Sequence, residues 1–162
     1  MKRKKAGQPD DDVFYSRGLQ FECLECGRCC TGFPGYVYLS QADIEKLAAF
    51  LRISLERLIS YYTRPVTLFG EKRVSLVERS DYRCIFWKDG CTVYSARPYQ
   101  CMSYPFWKRI LISKREWVRE GQRCPGIDRG RVYSKEEIEK LLSSVPVYDR
   151  TSFDFPVFDN DV

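Results

Sequence analysis

Apolar residues recur at three- and four-residue spacing in three stretches of the chain, and each stretch opens on a serine that can cap a helix. Ser40-Gln41-Ala42-Asp43 leads into Ile44, Leu47, Ala48 and Leu51, with an acid in the first turn. Ser54 precedes Leu55, Leu58 and Ile59, and the steric bias on a residue before proline ends that helix ahead of Pro65. Ser134-Lys135-Glu136-Glu137 has the form of a capping box and starts a third helix, with Ile138, Leu141 and Leu142 on one face until Pro146. Between these stretches the period shortens. Residues 74–78, 84–87, 91–94, 110–112 and 117–119 are short, aromatic or β-branched, and Lys88-Asp89-Gly90 and Ser113-Lys114-Arg115 read as turns between them. The pattern predicts a small, irregular α+β domain with about three helices and short antiparallel hairpins.

The ends differ in character. Residues 1–12 join a Lys/Arg cluster to Asp10-Asp11-Asp12 with almost nothing apolar, which predicts a disordered basic and acidic arm. Residues 149–162 alternate acids with Phe153, Phe155 and Phe158, an acidic-aromatic tail that either packs along the domain or docks elsewhere. Residues 13–148 then form a single domain. No apolar run approaches the roughly 18 residues that cross a bilayer, and the basic start is not followed by an apolar signal core. The expectation is a cytoplasmic protein without a membrane.

Cysteine usage sharpens the picture most. Eight cysteines stand in 162 residues, as Cys23-x-x-Cys26-x-x-Cys29-Cys30 followed by Cys84, Cys91, Cys101 and Cys124. In a reducing compartment such thiols serve as metal ligands rather than disulfide partners. The chain has no histidine, so an imidazole base is excluded and any zinc site must be built from sulfur and carboxylate oxygen. Two residues between Cys23 and Cys26 let both sulfurs face one ion, and Gly27 relieves the turn behind them. Adjacent Cys29 and Cys30 diverge on any regular backbone, about 100° apart on a helix and opposite on a strand. The segment from Cys84 to Cys91 reads as a hairpin that brings two sulfurs to its open end, while Cys101 and Cys124 are single remote ligands delivered by folding. Sharing between these groups is the economical way to complete each site. The formal net charge of +5 invites a nucleic-acid reading. Ionised, metal-bound thiolates would consume most of that surplus.

The ordered motifs carry a resemblance. Phe21-Glu22-Cys23-Leu24-Glu25-Cys26-Gly27-Arg28-Cys29-Cys30, then Leu39-Ser40-Gln41-Ala42-Asp43-Ile44, then Cys84-Ile85-Phe86-Trp87, Cys91-Thr92-Val93-Tyr94-Ser95-Ala96-Arg97-Pro98, Cys101, Tyr104-Pro105 and Cys124-Pro125-Gly126-Ile127 resemble the YkgJ-type cysteine cluster family, from about Phe21 to Gly130. That family is known as a zinc- or iron-chelating domain with a CxxCxxCC signature. The resemblance implies metal-ligand roles for Cys23, Cys26, Cys29, Cys30, Cys84, Cys91, Cys101 and Cys124, and no settled reaction.

Two metals fit the donors. Tetrahedral zinc takes four thiolates, and eight sulfurs divide into two such sites. A [4Fe-4S] cluster also takes four, and Cys-x-x-Cys-x-x-Cys with a remote Cys124-Pro125 echoes ferredoxin spacing, although the fourth cysteine here is adjacent rather than three residues on. The leading reading is a metal-binding module, chelating Zn2+ or iron and acting through a protein partner. An enzyme is the lesser reading: flagellin lysine N-methylases carry a similar cysteine cluster, which implies an iron-sulfur-dependent, methyltransferase-like group transfer. The sequence offers no nucleotide loop or Ser/His/Asp set for it, and Glu22, Glu25, Tyr94 and Tyr104 are read first as surface or packing residues. A nucleic-acid-binding zinc module is a third reading, resting on Tyr36, Tyr38, Trp107, Lys108, Arg109, Lys114, Arg115 and Trp117, with the alternative that the aromatics pack inward.

Overall fold

The structure, a computed structural model, describes residues 13–148. The arm expected at 1–12 and the tail expected at 149–162 lie outside the described residues. In chain order the elements are β1 (Leu19–Phe21), α1 (Gln41–Leu51), α2 (Leu55–Tyr62), β2 (Thr63–Leu68), β3 (Glu71–Leu76), one 3-10 turn (Tyr94–Ala96), α3 (Tyr99–Ser103), α4 (Lys108–Leu111), α5 (Lys114–Arg123), β4 (Arg131–Tyr133) and α6 (Lys135–Ser143). The fold is α+β, and its strands pair as two separate two-stranded antiparallel ribbons. The chain condenses into two compact units, one containing residues 13–24 and 105–144 and the other residues 25–104 and 145–148.

In the first unit β1 pairs with β4, with Leu19 opposite Tyr133 and Phe21 opposite Arg131. The core is aromatic. Phe106 stacks on Trp117 at 5.8 Å between centroids and meets Phe21 edge-on at 5.9 Å, and Tyr133 lies 4.6 Å from Phe106. Trp117 is buried, and its indole N–H donates to Asp128 Oδ1 at 3.0 Å, so the one polar atom of the ring is satisfied inside. Ile110, Leu111, Ile127 and Ile138 complete the interior.

In the second unit β2 and β3 form a hairpin, Thr63 opposite Leu76 and Leu68 opposite Glu71. Its two-residue turn, Phe69-Gly70, has φ of 52° and 81°, the left-handed pair that matches strand twist. On the other edge of β3, Leu39 N–H donates to Val74 O and Leu76 N–H to Val37 O, each at 3.0 Å. Leu39, Ile44, Leu47, Leu58, Val74, Leu76, Phe86 and Val93 pack into one core, with Cys84 and Cys91 against its margin.

The three helices expected from periodicity are α1, α2 and α6, and all three serine caps accept the backbone N–H they were placed to accept. The count of about three is too low, since α3, α4 and α5 are additional. Residues 117–119, expected as a strand after a turn at 113–115, lie inside α5, where Ser113 accepts Glu116 N–H as N-cap. Only Trp117 on that helix is buried, so its charged sequence carries no apolar stripe to announce it. Residues 110–112 were expected as a strand from their β-branched character, but Ile110 and Leu111 end α4 because both are buried there as helix residues. Residues 84–87 and 91–94 make isolated antiparallel bridges, Glu78 with Cys84 and Trp87 with Cys91, and not strands. The strand expected at 74–78 is β3, displaced toward the N-terminus, and its partner β2 runs through Pro65.

Candidate metal centre

All eight cysteines are described, and they carry thiols and not disulfides. Six of them, Cys26, Cys29, Cys30, Cys84, Cys91 and Cys101, belong to the second unit, and Cys23 and Cys124 to the first.

The segment 25–30 is a tight turn with Glu25 at φ 47° and Gly27 at φ 75°. Cys30 N–H donates to Gly27 O at 2.7 Å, and the Thr31 hydroxyl donates to the same oxygen at 3.0 Å. Gly27 is required twice over, by its left-handed backbone and because a Cβ there would sit 2.4 Å from Cζ2 of Trp87. The turn therefore rests on the indole of Trp87, a residue between Cys84 and Cys91. A second link joins the same segments: Cys84 N–H donates to Cys30 O at 2.8 Å.

Within residues 84–92 the chain reverses through Lys88 N–H to Gly90 O and Thr92 N–H to Phe86 O, at 2.9 and 3.0 Å. Cys91 bridges to Trp87 beside this reversal while Cys84 bridges to Glu78, so the two cysteines do not face each other as the expected hairpin would have them. The backbone amide of Phe86 acts on the Cys84 sulfur, and that of Val93 on the Cys91 sulfur, in the direction that favours the thiolate. An N–H two residues beyond a cysteine stabilises negative charge on its sulfur.

Cys101 is positioned from α3. Tyr99 N–H donates to Asp43 Oδ1 at 2.7 Å, while Asp43 Oδ2 accepts from Ser40 N–H at 3.0 Å and from the Ser40 hydroxyl at 2.7 Å. One buried carboxylate thus closes the N-terminus of α1 and opens α3. Beside Cys101, Gln100 accepts Tyr38 N–H at 2.9 Å and donates to Tyr36 O at 2.8 Å. Asp43 and Gln100 were not singled out as site residues from the sequence. The one visible hint was the acid three residues after Ser40, which signals a helix cap and carries no sign of its long-range partner.

The sulfurs interact. Cys29 Sγ lies 3.6 Å from Cys30 Sγ. This corrects the expectation that adjacent cysteines diverge: residues 27–30 form a turn, so neither the helical nor the extended rule applies. The hydrogen bond with Cys29 pushes the Cys30 thiol far above the ordinary range, assisted by burial and by the negative fields of Cys29, Cys101 and Cys84. Burial raises Cys101, with Cys84, Cys29 and Cys91 adding to it and the Arg97 guanidinium opposing. Burial likewise raises Cys84 and Cys91; the N–H of Phe86 opposes it at the first, and that of Val93 together with Arg97 at the second. Five thiols, Cys29, Cys30, Cys84, Cys91 and Cys101, therefore share one electrostatic neighbourhood, in which Arg97 opposes the rise at Cys91 and Cys101. Arg97 is held there by Nε donation to Tyr94 O at 2.9 Å and by its guanidinium lying 3.6 Å over the Tyr94 ring. Among the described residues no three Cys, Asp or Glu side chains stand together at coordination geometry.

The donor chemistry suits a soft divalent metal. At a metal–sulfur distance of ~2.3 Å, two sulfurs on one tetrahedral ion lie about 3.8 Å apart, close to the Cys29–Cys30 separation. Binding would also remove the protons that burial and mutual repulsion hold on these thiols.

In the first unit Cys23 follows Glu22, whose N–H donates to Gly126 O at 3.0 Å. Cys124 ends α5, its N–H donating to Glu120 O at 2.8 Å and its carbonyl accepting from Ile127 N–H at 3.2 Å. Gly126 permits this close pairing, since a Cβ would meet Glu22 O at 1.9 Å. The Cys124-Pro125-Gly126 turn and the backbone at Cys23 therefore run side by side, and both cysteines are half-buried.

The aromatic and cationic residues considered for nucleic acid divide. Trp117 is buried, and Tyr36 and Tyr38 stack on one another at 5.8 Å with Arg64 over the first and Arg73 over the second. Those ring faces are already engaged. No helix among the described residues is long and apolar enough to cross a membrane.

Clustered thiols in the second unit, carried by short elements and turns, define a cysteine-cluster protein. The chain belongs to the CxxCxxCC family, described as "Putative zinc- or iron-chelating domain", whose model matches residues 22–129. No solved structure matches the chain.

Proposed function

We propose that this protein is a metal-binding module in which Cys26, Cys29, Cys30, Cys84, Cys91 and Cys101 supply thiolates to zinc or iron, with Cys23 and Cys124 as a further thiolate pair. The observation that carries the reading is the 3.6 Å separation of the Cys29 and Cys30 sulfurs, within electrostatic reach of Cys84, Cys91 and Cys101. The same separation favours single ions over a [4Fe-4S] cubane. Each iron of a cubane takes one thiolate, and its four cysteine sulfurs point outward from different corners, whereas two sulfurs in near contact suit one shared ion. Bound metal would add its positive charge to that of Arg97, and would couple ligation to folding.

Metal and acid-labile sulfide are to be measured on the full chain purified without oxygen. The expected result is at least about one zinc or iron per chain without stoichiometric sulfide, falling together with melting temperature in Cys91→Ser. Fewer than about 0.5 metal per chain, with all eight thiols open to a small reagent, would overturn the reading. Sulfide matching iron would overturn the preference for single ions.

A further inference from the structure

The Cys29–Cys30 pair has a chemistry of its own. Two thiols on consecutive residues are held 3.6 Å apart by a turn that is fixed from both sides, through Cys30 N–H to Gly27 O and Cys84 N–H to Cys30 O, and Cys29 is exposed. Isolated dithiols in a flexible chain must be brought together before they chelate. Here that ordering is already done, and a preorganised pair binds a bidentate ligand more tightly for the same contacts. The described structure brings two sulfurs together without gathering a third at coordination geometry. A two-sulfur bite of soft donors suits an acceptor that asks for two thiolates and carries its third bond already, and a monosubstituted trivalent arsenic centre is such an acceptor.

We propose that Cys29 and Cys30 form a chelation site for trivalent, thiophilic metalloids of the arsenic(III) class. In the step, two S–H bonds and the arsenic–oxygen bond of an organic arsenic(III) oxide break, two As–S bonds form, and the two protons leave with the oxygen as one water. Arsenic stays trivalent and sulfur is not oxidised, so no co-reactant is required. The site shares its sulfurs with the metal reading above but does not depend on metal occupancy.

The test titrates phenylarsine oxide into the full chain, both as purified and after chelator treatment under conditions where circular dichroism shows the helices retained. Binding is followed by intact mass and by peptide mapping after alkylation. The expected result is one equivalent per chain, protection of Cys29 and Cys30 from alkylation, reversal by a dithiol but not by an equal concentration of monothiol, and weakening by about 100-fold or more in Cys29→Ser and in Cys30→Ser. Mapping on the unsubstituted protein keeps the result decisive if a variant fails to fold. An adduct on other cysteines, reversal by monothiol, or unchanged affinity in both variants would overturn the proposal. An adduct at 29/30 in protein that carries no metal as purified would uphold this site while overturning the metal reading. Tight metal with no adduct on the stripped protein would do the reverse.

Discussion

Replacing Gly27 by alanine tests how the CxxC turn is joined to the Cys84–Cys91 segment. Alanine at φ 75° incurs the left-handed penalty of roughly 1–2 kcal/mol. The added methyl would also lie 2.4 Å from Trp87 Cζ2 and 2.6 Å from Cη2, and forced overpacking of this kind costs roughly 1–3 kcal/mol. The sum, about 2–5 kcal/mol, lowers the melting temperature by roughly 5–20 °C for a protein of this size. Thermal melting followed by circular dichroism reads the loss, and alkylation rates at Cys29, Cys30 and Cys84 show whether the turn has lifted off the indole. Pairing Gly27→Ala with Trp87→Leu separates the two contributions, because the smaller side chain relieves the clash but not the backbone strain. The double variant should therefore lose less than the two single losses added together. A Gly27→Ala protein melting within 1–2 °C of the parent, with unchanged thiol reactivity, would refute the close packing of Gly27 on Trp87.

Asp43→Ala removes the side chain that caps α1 and receives Tyr99 N–H. It should cost about 2–4 kcal/mol, counting a lost cap and an unpaired amide, and should speed alkylation of Cys101, which a purely local helix-capping role would not do. Differential melting with thiol mapping decides between the two. Metal-free protein should lose stability in alkali. Folding raises the thiols of Cys30, Cys84, Cys91 and Cys101. The unfolded chain therefore releases their protons first, and the stability present below the ordinary thiol value of about 8.5 drains away as pH rises past it. Metal-loaded protein, with its thiolates already ionised, should show a flatter profile. Chemical denaturation from pH 7 to 10 with and without metal tests this, and parallel profiles would refute it.

The capped helices were legible because Ser40, Ser54 and Ser134 signal locally, through hydrogen bonds that span three residues and need no distant partner. The cysteine spacing marked the chemistry equally well. What was illegible depended on tertiary neighbours. Helix α5 buries only Trp117, so its register is set by Phe106 and Asp128 and not by any stripe in its own sequence. Helix α2 ends ahead of Pro65 as expected, but the strand that follows directly from Thr63 and sets Pro65 opposite Val74 was not foreseen. The approach of the Cys29 and Cys30 sulfurs was missed because expectations for adjacent side chains come from regular backbone, and a turn with left-handed residues at 25 and 27 is outside them. Gly27 was recognised as a turn glycine; the Trp87 indole behind it was not, since nothing within residues 23–30 encodes a ring from more than fifty positions on.

The carboxylate of Asp43 also bears on how the thiol cluster can move. Because its two oxygens serve the first turn of α1 and the first residue of α3 at once, α3 cannot swing away without uncovering a buried charge and unwinding a neighbouring helix end. Mechanically, α3 is bolted to the core and behaves as the stationary jaw of the cluster. The other jaw is the turn at 25–30, seated on Trp87 and tied to the unit by Cys84 N–H to Cys30 O, and any opening would carry it as one piece with its Cys29–Cys30 pair intact. Amide hydrogen exchange would display this as a contrast in protection: Tyr99 exchanging in step with α1, and Cys30 and Cys84 exchanging through a shallower, local opening.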